Sequence, residues 1–185
     1  ASDRFVDVLG MHQVNNEAAQ QFTKDSKSNK IAGQSTVVVQ DPDIGINSFG
    51  MGRETLSSIY VLKDGEEQIN GLLGEKAAEL NISLEDALLA PQLYDNGKAR
   101  GEKAAIEDLN TLLKEAGGMD GFIWKDPANG FQMKLNVNKI VGGNELLANQ
   151  AISGLFNGDF DTDRLGVSLD PNISAAALMP TQLLA

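Results

Sequence analysis

The spacing of apolar residues changes character several times along the chain. From Asp3 to about Lys24, the residues Phe5, Val8, Leu9, His12, Ala19 and Phe22 recur near every third or fourth position, which predicts an amphipathic helix with Ser2 as N-cap. Gly10 and Asn15-Asn16 weaken that pattern and allow a break into two helices. A polar stretch, residues 24–33, follows as an exposed connection. Residues 35–40 (STVVVQ) are β-branched without helical spacing and end at Asp41-Pro42-Asp43, the signature of a buried strand and its turn. Residues 45–52 (GINSFGMG) hold three glycines and read as a loop.

Three helices are expected next. Leu56, Ile59 and Tyr60 share one side of residues 54–62, before a stop at Asp64-Gly65. Ile69, Leu72, Leu73, Ala77 and Leu80 share one face of residues 66–80. Ser83, with Asp86 three residues on, starts a short helix that Pro91 ends. Residues 92–100 contain Asn96-Gly97 and read as a loop. The stripe Ala105, Ile106, Leu109, Leu112, Leu113 and Ala116 then predicts the clearest helix, closed by Gly117-Gly118.

Strict alternation at Phe131, Met133, Leu135 and Val137 predicts a strand with one wet face. The turn residues 126–130 join it to the apolar run 121–125 as a hairpin. Asn144 is expected to cap a helix to about Phe156, and Asp170-Pro171 a last one through Leu178. With no repeat and no dividing linker, the expected architecture is a single α+β domain over residues 1–185. It has six or seven helices and a small antiparallel sheet made of the hairpin 121–137 and the strand 35–40.

Composition narrows the function classes. A net charge of −11 repels phosphate backbones and anionic lipid surfaces, so nucleic acid is not an expected partner; cations, basic proteins and neutral ligands stay open. With no cysteine there is no disulfide, thiolate zinc site or cysteine nucleophile, a pattern that fits a secreted or virion-associated protein, although a small cytosolic domain can also lack cysteine by chance. No apolar run approaches the length that spans a bilayer, so a soluble chain without membrane insertion is expected. The chain begins at Ala1, which suggests that a preceding segment was removed.

The most specific polar pattern is Asn157-Gly158-Asp159-Phe160-Asp161-Thr162-Asp163. Asp159, Asp161 and Asp163 alternate in a glycine-containing loop and could converge on Ca²⁺, a hard cation that takes six to eight oxygens in irregular geometry. Arg164 stands where an EF-hand loop has glycine and Asp170 where it has a bidentate Glu, so this is not a standard EF-hand; the competing reading is a solvated turn. The run Gly45 to Arg53 suggests a phosphate cradle with Arg53 as anion partner, but it lacks both the P-loop and dinucleotide patterns and reads better as a plain connection.

His12 is the single histidine, at a helix-spaced position, and Ser35 and Ser48 lack a nucleophile elbow. Paired acids for glycoside cleavage are available at Asp120 and Asp126 around Trp124 and at Glu66-Glu67. ADP-ribosyl transfer through Arg4, Ser35 and Glu66-Glu67 fails, because adjacent glutamates on a helix point in different directions. Trp124 and Tyr94 could mark a binding surface, with a core position preferred for Trp124. The expectation is a non-enzymatic interaction or structural protein, exported or part of a virion or secretion-associated assembly, binding another protein, with Ca²⁺ as a candidate ligand ordering the 157–170 loop. The alternative is a carboxylate-dependent, glycosidase-like hydrolase with a cleft beside the hairpin.

Overall fold

The computed structural model describes residues 11–13, 33–46, 48–62, 64–91, 101–126, 131–152 and 164–169. In chain order these form β1 (Met11–Gln13), β2 (Gly33–Gln40), β3 (Ser48–Gly52), α1 (Arg53–Tyr60), α2 (Gly65–Glu79), α3 (Leu84–Leu89), α4 (Gly101–Ala116), β4 (Met119–Asp126), β5 (Phe131–Val141), β6 (Leu146–Ala148) and β7 (Arg164–Ser168). The chain is an α+β protein, as expected, but its sheet is not small and not antiparallel.

Six strands form a mixed, curled, barrel-like sheet in the order β5-β3-β6-β2-β7-β4, and β4 pairs again with β5, so the ladder returns to its start. The short β1 is appended antiparallel to the first residues of β5. β3 runs parallel to β5 and β2 parallel to β6, while β3–β6, β2–β7, β4–β5 and β4–β7 are antiparallel. β2 gives its first half, Gly33–Val37, to β7 and its second half, Val38–Gln40, to β6. Curling in this way leaves few unpaired backbone groups at sheet edges, the usual template for aggregation.

The expected hairpin does pair, from Met119↔Val137 to Trp124↔Gln132, but β5 continues four residues further and pairs with β3 from Asn136 to Val141. A bulge sits at that extension, because Phe49 faces Val137 while Gly50 faces Lys139. The extra residue resets the two-residue alternation, so Leu135 and Val137 and then Ile140 are all buried. Beyond the reach of β4, Asn110 of α4 stands in for a strand. Its Oδ1 accepts from the Ile140 N–H at 2.8 Å and its Nδ2 donates to the Ile140 carbonyl at 2.9 Å.

Three expectations are corrected. Residues 45–52 are not all loop, since Ser48–Gly52 form β3. Asn144 does not open a helix through 156: Leu146–Ala148 is strand β6, and the Asn144 carbonyl accepts from Thr55 Oγ1 at 2.7 Å instead. Met11–Gln13 is strand, not helix, so the expected helix 3–24 is interrupted at least there. The rest of that helix, the connection 24–32, the loop 92–100 and the helix from Asp170 lie outside the described residues, which hold the four helices α1 to α4.

The helices follow their local signals more closely. α3 is capped by Ser83, whose Oγ accepts from the Asp86 N–H at 3.2 Å, with Glu85 and Asp86 at the positive end of the helix. α4 ends in a Schellman turn, in which Gly117 and Gly118 take φ of 78° and 87° and the Gly118 N–H reaches the Leu113 carbonyl at 2.8 Å. α2 ends in the same way with Asn81 at φ 56°, which sends the Ile82 N–H to the Ala77 carbonyl at 2.9 Å.

α4 packs on β5 and α1 on β2 and β3, with α2 and α3 leaning on α4 and α1. One core joins Phe49 and Met51 of β3, Leu56 and Ile59 of α1, Ile69 and Leu73 of α2, Leu88 of α3 and Leu109, Leu112 and Leu113 of α4. Full burial of side chains of this size stabilises the fold by about 1.5–3 kcal/mol each. No helix among the described residues is long and apolar enough to cross a membrane.

Candidate functional site

The two ends of α1 meet very different surroundings. At its start the chain passes directly from β3 into the helix, against the turn formed by residues 142–145. The Gly52 N–H donates to the Glu145 carbonyl at 2.7 Å, and the Glu54 N–H donates to the Gly143 carbonyl at 3.0 Å. A Cβ on Gly52 would run into the Gly143 carbonyl and the Asn144 nitrogen, which is why this position is glycine. These contacts close the end of the helix that a phosphate cradle would need open.

Arg53, the anion partner that such a cradle would use, is turned inward. Its Nη1 donates to the Leu88 carbonyl at the end of α3 at 2.6 Å, and its Nε lies 3.8 Å from Glu102 Oε1 at the start of α4. Arg53 is buried, and its Nε makes no hydrogen bond among the described residues. The guanidinium therefore ties α1 to α3 and α4, and its positive charge is already answered by a carboxylate and a carbonyl.

At the other end of α1 the surface opens into a cleft of about 470 Å³ between α1, α2 and α3. Tyr60, Val61 and Leu62 come from the end of α1 and the turn after it. Asp64, Glu66, Glu67 and Asn70 come from the start of α2, and Glu85 and Leu89 from α3. The corner is tight: the Gly65 N–H reaches back to the Leu62 carbonyl at 2.9 Å, and a Cβ on Gly65 would collide with the Ile59 carbonyl. Asp64 takes a left-handed backbone, φ 64°, and makes no side-chain cap to α2. That conformation is uncommon for a residue other than glycine, though aspartate tolerates it better than most.

Of the nine described residues that line it, four are acids and none is basic. Tyr60 is buried at the wall of the cleft, and its phenol is pushed above its ordinary value of 10. Burial is the main cause; the Glu66 and Glu85 carboxylates act in the same direction, while hydrogen bonding with Asn70 pulls the other way. Val61 and Leu89 are exposed at 64% and 41%, which places bare apolar surface beside the acids. Among the described residues no three His, Cys, Asp or Glu side chains come together as metal ligands.

The remaining sequence candidates separate. Glu66 and Glu67, one of the two paired-acid candidates, both line the cleft. Of the other pair, Asp120 accepts through its Oδ1 from Asn136 Nδ2 at 2.9 Å on the sheet, and the Asp126 side chain lies outside the described residues. Trp124 stands in β4 opposite Gln132 and Gly166, and His12 in β1 opposite Gln132. The burial of both, like Tyr94, Asp159, Asp161 and Asp163, lies outside the described residues.

Sequence reasoning missed the cleft as a unit. Tyr60 read as one more core position of a short helix and the acids as helix-start charges, and only the sharp α1–α2 corner and the approach of α3 bring them together. No protein-family model matches the chain, and no curated protein matches it.

Proposed function

We propose that the protein is a non-enzymatic interaction protein, and that its α1–α2–α3 cleft receives a cationic segment of another protein. The observation that carries this reading is the placement of four carboxylates and two exposed apolar side chains, Val61 and Leu89, around one concavity. A lysine or arginine entering the cleft would find carboxylates to pair with, while its aliphatic stem and an apolar neighbour would cover Val61 and Leu89. The chain's net charge of −11 would favour encounter with a basic partner over long range.

A synthetic peptide with a Leu-Lys-Leu centre tests the reading, set against the same peptide with norleucine in place of lysine. Binding of the lysine peptide that weakens as salt rises, and about tenfold weaker binding of it by a Glu66→Gln, Glu85→Gln variant, are expected. Equal binding of both peptides, or no difference between variant and parent, overturns it.

The hydrolase alternative draws less support. The cleft lies at the helical corner and not beside the hairpin, and Glu66, Glu67 and Glu85 are exposed, whereas the acid of such an enzyme is held in a desolvated site.

Calcium at Asp159, Asp161 and Asp163 is a separate proposal that rests on their alternation alone. If the ion binds there, millimolar calcium well above the dissociation constant raises the thermal midpoint by roughly 5 °C relative to chelator. An unchanged midpoint removes it.

A further inference from the structure

We draw no further inference here: the strongest candidate, the cluster where α1, α3 and α4 meet, sets the buried Arg53 guanidinium against the Leu88 carbonyl and the exposed Glu102 carboxylate, and nothing among the described residues points to a ligand there, while the acidic cleft belongs to the site already described.

Discussion

The two ends of α1, Arg53 and Tyr60, bound a helix of eight residues and are opposite in character. At the Arg53 end, backbone and side-chain groups are consumed by the 142–145 turn, the α3 terminus and Glu102, which leaves a closed mechanical joint. At the Tyr60 end, carboxylates and apolar side chains stand around open space. The contrast shows how little residue type alone says about surroundings. Gly52 and Arg53, from the run that could suggest an anion site, make structural contacts, while helix-start glutamates stand around the concavity.

If the first end is a joint, damage there should cost stability, and damage at the second should cost binding. The largest effect is expected for Gly52→Ala, whose new methyl would meet backbone that cannot move aside without breaking the Gly52–Glu145 and Glu54–Gly143 hydrogen bonds. A loss of about 3 kcal/mol in urea unfolding is expected; a loss below 1 kcal/mol would mean that the joint is soft. Arg53→Met keeps the apolar stem but strands the buried Leu88 carbonyl, for an expected loss of about 2 kcal/mol by the same measurement. A neutral outcome would show that the guanidinium contributes no more than its packing.

At the open end the order of effects reverses. The Glu66→Gln, Glu85→Gln variant should unfold within about 0.5 kcal/mol of the parent while losing the peptide binding described above. A large destabilisation instead would make the cleft part of the scaffold and erase the distinction between the two ends. The smallest effect concerns Tyr60. Because its phenol pKa is raised in the folded state, its contribution to stability is fully present below the ordinary value of 10 and is lost as pH rises through the higher folded value. Phenolate absorbance followed by pH titration should show Tyr60 ionising late, and earlier in the Glu66→Gln, Glu85→Gln variant. Coincident curves would mean that the carboxylates do not act on it.

The helices and the hairpin were legible because their signals are local. Ser83 with Asp86, the stripe from Ala105 to Ala116 with Gly117-Gly118 behind it, and the alternation from Phe131 to Val137 each state a complete instruction within one short window. β3 and β6 state none. Ser48–Gly52 lacks β-branched residues, and the last four of its five positions are buried, so no alternation marks it. Leu146–Ala148 is buried at all three positions and merges with Ile152 into a helix-like spacing. What makes them strands is pairing with each other and with β5 and β2, contacts that span up to about a hundred residues of sequence.

By itself, then, the sequence determined an acidic, cysteine-free α+β chain with four of its helices and one hairpin in place, because propensity, capping and periodicity act over a few residues. Tertiary structure alone decided that the hairpin extends into a curled, mixed sheet, that Arg53 faces inward, and that Tyr60, Glu66 and Glu85 share one cleft. Each of these depends on which distant segments approach one another, and the hydrogen bonds and buried area that select that approach exist only once the segments have met.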